Sequence, residues 1–143
     1  MSRQWTSVGY DLKRAQHLLR LRMDDALAAH DLNAPQYSVL EAIQNNPGAT
    51  NADLAREALV TAQTMGGIVQ ALELANCVER VPGEARRISN RLTRTGADIL
   101  RRARRDVQKL ERDMVDGIDK SKLESFSKTL SAMTDKLRAS ESA

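Results

Sequence analysis

Two helix-start signals, Thr50 and Thr61, stand so close together that the helix between them has room for little more than two turns, and the chain must double back there. Thr50 predicts an N-cap, with Asp53 three residues on completing a capping box, and Leu54, Ala55 and Ala58 fall close together on one helix face. Ala58, Leu59 and Val60 make the turn. Thr61 predicts the second N-cap, after which Met65, Ile68, Val69 and Leu72 recur at helical spacing and would pack the second helix onto the first. That packing leaves Gln63, Thr64, Gly66, Gly67 and Gln70 outward. Asn76 is a good helix stop because it tolerates the left-handed conformation, and a β-branched and polar run of period two then predicts strands over Cys77–Val81 and Ile88–Leu92. Pro82-Gly83-Glu84-Ala85-Arg86-Arg87 connects them.

A helix-turn-helix followed at once by an arginine-tipped hairpin is the architecture of a winged-helix DNA reader. The outward face of the second helix would meet the major groove, and the hairpin arginines suit the narrow minor groove. The candidate DNA-contacting residues are therefore Thr50, Thr61, Ala62, Gln63, Thr64, Gly66, Gly67, Gln70, Arg80, Arg86 and Arg87. Taken alone, the helix pair fits a structural role equally well, and the basic hairpin is what favours DNA. Charge agrees. Residues 80–112 hold eleven of the 22 basic residues against four acidic ones, which leaves +7 there and −4 in the rest of the chain. Aromatics make up only 3% of the chain, too few for stacking on unpaired bases, which argues against a reader of RNA or single strands.

Other classes are disfavoured by what the sequence lacks. It has no Ser-His-Asp set, phosphate loop or dinucleotide fingerprint, so an enzyme is not expected. Two His and one Cys, none at ligand spacing, suggest neither a metal nor another cofactor. No apolar run is long enough for a membrane span and no signal peptide is visible, which with the lone Cys fits the reducing cytoplasm.

The chain of 143 residues reads as a single domain, mainly α with a small β-hairpin wing. The reading lobe spans about 33–93, and the flanking segments, 1–31 and 97–143, are expected to dimerise. A first helix is predicted from about Ser7 to His30, with Val8, Leu12, Ala15, Leu19, Met23 and Leu27 as one stripe. Asn33 caps the next helix, Pro35 sits in its first turn, and Tyr37, Val39, Leu40 and Ile43 supply its buried face. Thr93 caps a helix over about 94–117 with Ile99, Ala103, Val107, Leu110, Met114 and Ile118 inward. Arg101, Arg102, Arg104, Arg105 and Arg112 lie opposite, where a solvated face is the simplest reading. Ser121 restarts a last helix whose Leu123, Phe126, Leu130, Met133 and Leu137 alternate three- and four-residue steps, the spacing of a coiled-coil seam. Such stripes exceed what the small central lobe can cover, so a two-fold homodimer is expected, with two reading helices in successive major grooves and a pseudo-palindromic site.

The chain resembles the multiple antibiotic resistance regulator (MarR) family. The echoes are Leu32-Asn33-Ala34-Pro35-Gln36-Tyr37 before the second helix, Ala52-Asp53-Leu54-Ala55 in the third, Thr61 to Leu72 with Glu73 in the fourth, Val78-Glu79-Arg80 entering the wing, and Leu92-Thr93 with Gly96 leaving it. The resemblance implies a homodimeric regulator of transcription, a ligand-responsive repressor, that binds double-stranded DNA. It also implies a small anionic or aromatic effector in a crevice between dimerisation helices and reading lobe, where this chain offers Tyr10, His17, Arg20 and Tyr37. A structural role competes at two of these: Tyr37 also lies on an apolar stripe, and Arg20 suits solvent. Trp5 fits either a dimer anchor or part of such a pocket.

The departures from the family pattern bear on mechanism. The family's wing carries Asp-x-Arg, whose place is taken here by Glu84-Ala85-Arg86, in a hairpin about two residues shorter than usual. Gly66 and Gly67 replace a hydroxyl and a basic reader, which suggests close approach to DNA or to another helix. Cys77 stands where a Leu is common and reads as a small buried residue, unlike the N-terminal reactive Cys of the family's peroxide sensors. Two further readings stay open: a sequence-tolerant architectural DNA-binding protein, and a redox-responsive regulator acting through Cys77.

Overall fold

The computed structural model describes residues 7–141, so Trp5 lies outside the described residues. The chain divides into two compact units, one reaching Gln108 and the other starting at Lys109. The element order is α1 (Val8–Leu27), a 3-10 turn (Ala28–His30), α2 (Ala34–Asn45), α3 (Asn51–Ala58), α4 (Ala62–Leu74), β1 (Val78–Pro82), β2 (Ile88–Leu92), α5 (Arg94–Val115) and α6 (Lys120–Glu141). This is a winged helix-turn-helix preceded and followed in the sequence by long helices, and the predicted fold class holds.

Each helix of the reading lobe starts on a side-chain cap. Asn33 Oδ1 accepts from the Gln36 N–H at 2.9 Å, and Gln36 Oε1 accepts from the Asn33 N–H at 3.0 Å. Thr50 and Asp53 exchange the same pair of bonds at the start of α3, at 3.1 and 2.9 Å. These satisfy amides that the first helical turn leaves without partners. The helix ends close by left-handed residues. Leu59, at φ 59°, ends α3, with Val60 N–H donating to Ala55 O. Asn76, also at φ 59°, ends α4 in a Schellman arrangement: its N–H donates to Glu73 O and that of Cys77 to Leu72 O.

That second closure corrects the first strand. The prediction put Cys77 in the ladder, but its N–H is spent on the end of α4, so β1 begins at Val78 and runs through Pro82. The two strands pair antiparallel from Val78 opposite Leu92 to Pro82 opposite Ile88. Pro82, which has no donor, is tolerated because a two-stranded sheet has only edges. Elsewhere boundaries shift by a residue or two. The first helix tightens into the 3-10 turn at Ala28, α5 ends at Val115 before Gly117 at φ 78°, and α6 starts at Lys120.

The core of the first unit is aliphatic, as the shortage of aromatics requires. Leu27, Leu40, Ile43, Leu54, Met65, Val69, Leu72, Val78 and Leu100 are all buried to within 2% of full enclosure. Ala58, predicted to face inward with Leu54 and Ala55, is exposed. In the second unit Leu123, Leu130 and Met133 are half-buried, whereas Phe126 and Leu137 stay exposed.

One close approach locks the exit of the wing. A Cβ on Gly96 would sit 2.0 Å from the carbonyl oxygen of Cys77, and Thr93 lies beside it, its N–H donating to that same oxygen and its hydroxyl to Asn76 O at 2.6 Å. Gly96 is thus required by the backbone, since no side chain can move aside to make room. Gly96→Ala is expected to cost about 3 kcal/mol or more, at the upper end of overpacking effects. Urea denaturation checks this as a lower midpoint with an unchanged slope.

Candidate nucleic-acid interface

Packing decides the outward face of α4. Met65, Val69 and Leu72 are buried and Ile68 is half-buried, while Ala62, Gln63, Thr64, Gly67 and Gln70 are exposed and Gly66 is half-exposed. The two cap threonines are occupied. Thr61 Oγ1 accepts from the Thr64 N–H at 3.1 Å and donates to Thr64 Oγ1 at 3.0 Å, and Thr50 Oγ1 serves Asp53. Both therefore have a defined internal task. Around Gly66 and Gly67 nothing lies within 4 Å of where a Cβ would stand, so within this chain no helix accounts for the two glycines. The space beside them is open.

The wing tip turns on two left-handed residues. Ala85 and Arg86 have φ of 54° and 60°, and Arg87 N–H closes the turn onto Glu84 O at 3.1 Å. Left-handed backbone at a residue with a Cβ costs roughly 1–2 kcal/mol, and here it throws Arg86 out at the tip. Among the described residues Arg86 makes no ion pair, with Glu84 or any other carboxylate. The neighbouring Arg87 does instead: its Nη2 lies 3.5 Å from Asp53 Oδ2, on the helix-turn-helix. Asp53 is held below the usual carboxylate range, chiefly by the Thr50 backbone N–H, with Arg56 and Arg87 assisting. The carboxylate that faces an arginine of the wing tip therefore comes from α3 and not from the tip itself. Arg80 is exposed on β1.

A residue that the sequence reading missed fastens the wing at its base. Asn90, opposite Arg80 in the ladder, is fully buried; its Nδ2 donates to Ala49 O at 3.1 Å and to Asn51 Oδ1 at 2.9 Å, and its backbone N–H donates to Ala49 O. The only sequence signal was an amide at the inward period of a strand.

The four residues suggested for an effector do not converge. Tyr10 and His17 are exposed on α1, with the Arg14 guanidinium 5.8 Å from the Tyr10 ring centre. Tyr37 belongs to the core instead: it is 7% exposed, and its hydroxyl donates to Glu41 Oε1 at 2.8 Å. Only Arg20 lines the groove of about 540 Å³ that opens between α1, α2, α3 and α4. The rest of that lining is largely apolar, including Leu19, Met23, Val39, Val60 and Met65, with Glu57 as the carboxylate.

Arg104 corrects the solvated-face reading of the α5 arginines. Its Nε and Nη2 donate to the two oxygens of Glu41 at 2.8 and 2.9 Å, and Nη2 also reaches Gln44. This bidentate pair holds the Glu41 carboxyl below its ordinary range and raises Arg104 further, while burial, then Glu41, pushes the Tyr37 hydroxyl up. His30 Nε2 meets Asp106 Oδ2 at 2.7 Å and makes a second tie to α5. Cys77 is 2% exposed and burial pushes its thiol up, the opposite of an activated thiolate. Among the described residues no cluster of three or more His, Cys, Asp or Glu could hold a metal, and no helix is long and apolar enough to cross a membrane.

A capped helix packed on one face and open on the other, beside a basic hairpin, defines a winged helix-turn-helix protein. The MarR family model matches residues 30–88. The HTH-type transcriptional repressor Rv2887 of Mycobacterium tuberculosis (strain ATCC 25618 / H37Rv) is 34% identical over 98 residues, 67% of this chain and 70% of that protein. This chain belongs to the MarR family. Among solved structures, Rv2887 of M. tuberculosis in complex with p-aminosalicylic acid aligns at a TM-score of 0.72 with 28% identity, covering 90% of this chain and 99% of that one. The S. aureus MepR–DNA complex aligns at 0.84 with 19% identity over 92% and 96% of the two chains, a likeness of fold.

The Glu41 pair gives a pH test. Because its folded pKa is lowered, Glu41 contributes stability that is present above the unfolded glutamate range and lost as pH falls through the folded value. Glu41→Gln should cost about 2 kcal/mol near neutrality, the worth of hydrogen bonds to a charged group. Its urea midpoint should also fall less steeply on acidification than that of the natural protein.

Proposed function

We propose that this chain is a homodimeric DNA-binding transcriptional repressor that reads a pseudo-palindromic site and releases it when a small anionic or aromatic effector binds. The observation that carries this is the exposed face of α4, with its two glutamines, beside a wing whose Arg86 makes no ion pair among the described residues. Related proteins support the reading. The curated relatives are called transcriptional repressors, and solved neighbours include Rv2887 with DNA and with salicylic acid. Its named relatives are regulators, and we assign it no enzymatic step. A reader of chromosomal DNA with no spanning helix among the described residues fits the cytoplasm.

Residues 33–93 would form the reading lobe, with 1–31 and 97–143 dimerising. Apolar side chains left in solvent support this: Val8, Tyr10, Leu18 and Leu21 on α1, and Phe126 and Leu137 on α6. A two-fold pair would place two α4 helices about 34 Å apart, one turn of duplex. The groove under α4 offers the effector Arg20 for a carboxylate and an apolar wall against Met65 and Ile68 of the reading helix itself. Binding there would act by differing affinity for the free and DNA-competent arrangements.

Competition between a palindrome from the protein's own promoter and bulk DNA at physiological salt tests the repressor reading. A preference of about a thousandfold is expected, and one below about tenfold would indicate a sequence-tolerant architectural protein. In the same assay Arg86→Ala should weaken binding to most sequences and lower the salt slope by about one. Dimerisation has its own measurement: Leu130→Asp with Leu137→Asp should yield monomers at micromolar concentration by analytical ultracentrifugation, and a persistent dimer would remove α6 from the interface.

A further inference from the structure

The exposed face of α4 limits which bases it can read. Between Ala62 and Leu74 the sequence holds no Lys or Arg. Guanine offers two acceptors in the major groove, O6 and N7, and the side chains that satisfy both are the multi-donor cations. Adenine offers a donor and an acceptor, N6 and N7, which match the paired acceptor and donor of a glutamine amide. Past the capped first-turn threonines, the exposed polar side chains are Gln63, Gln70 and Glu73, and since a carboxylate only accepts, the two amides are the groups that match an adenine edge. They stand seven residues apart on one face, about 10 Å along the helix, or about three base pairs at 3.4 Å each.

The surroundings of the two amides favour the same bases. Gly66 and Gly67 lie between them with open space where side chains would stand, so the helix backbone can sink toward the groove floor there. Ala62, Ala71 and Leu74, the last 82% exposed, offer apolar contact, which suits the thymine methyl. A wing arginine adds to this, since the minor groove is narrowest and most negative over A-tracts.

We infer that α4 reads a half-site whose core is A·T pairs, Gln63 and Gln70 each pairing with an adenine and the two adenines lying about three base pairs apart. The inference rests on the DNA-binding reading above and specifies which duplex it takes.

The test is selection from a random duplex pool by the full chain, repeated with Gln63→Ala, Gln70→Ala and Gln70→Arg. The expected outcome is enriched adenine at two positions about three base pairs apart in each half-site. Each alanine variant should lose roughly tenfold to a hundredfold on the selected duplex, relax one position, and lose much less on bulk DNA. Gln70→Arg should move its position from adenine to guanine. Since both glutamines are exposed and Ala is the better helix former, thermal melting should show no loss of fold. Guanine selected at those positions by the natural protein, retention of duplex without enrichment, or alanine variants with unaltered preferences would overturn this inference while leaving DNA binding standing. Retention of no duplex even at low salt would overturn the DNA-binding reading itself, and this one with it.

Discussion

The buried amide of Asn90 joins the two halves of the reading head. A hairpin of two strands is marginal by itself in water, and this one is held because Asn90 donates twice from its side chain and once from its backbone to the segment that starts α3. A bridge between Thr50 and Ser89 extends the sheet toward that segment. The same three residues, Ala49, Thr50 and Asn51, lead into α3 and receive the strand, so the position of the wing and the start of the helix-turn-helix are one structural fact. Removing the amide would take one of two donors from Ala49 O and the donor from Asn51 Oδ1, at about 0.5–1.5 kcal/mol for each hydrogen bond lost.

Further out, the Arg87 to Asp53 contact repeats this connection in solvent. An exposed pair at 3.5 Å contributes little energy, but Asp53 is already immobilised by the capping box, so the partner it offers is fixed in place. Arg86 and Arg87 are thereby distinguished. One is turned outward by left-handed backbone, and the other is directed back to the protein. Sequence order made them look equivalent.

A second set of ties runs from α5 to the front of the reading lobe. Arg104 grips Glu41 of α2, and Asp106 meets His30 at the end of α1. Both are polar contacts between segments more than 60 residues apart in sequence. The Glu41 pair is partly buried, so loss of either partner would leave the other poorly compensated. Any movement of α5 relative to α1 and α2 must therefore strain or break directional bonds, which makes the lobe more rigid than its aliphatic core alone would.

Periodicity and capping are local properties, and they were legible in the sequence. Met65, Val69 and Leu72 repeat at the helical interval, the Asn33, Thr50 and Thr61 caps act within three residues, and Asn76 can take the left-handed turn by itself. These fixed the element order and the outward face of α4. What the sequence could not contain is the partner of a polar group whose mate is far along the chain. Arg104 on a basic stripe looks solvated until α2 is placed beside it, Tyr37 looks available until Glu41 takes its hydroxyl, and Asn90 carries no sign of Ala49. The groove that Arg20 lines is likewise a product of four helices meeting. Local spacing determines which elements form, because their hydrogen bonds close within a few residues; only the tertiary structure decides which polar atoms find one another, because those bonds exist only after the elements have packed.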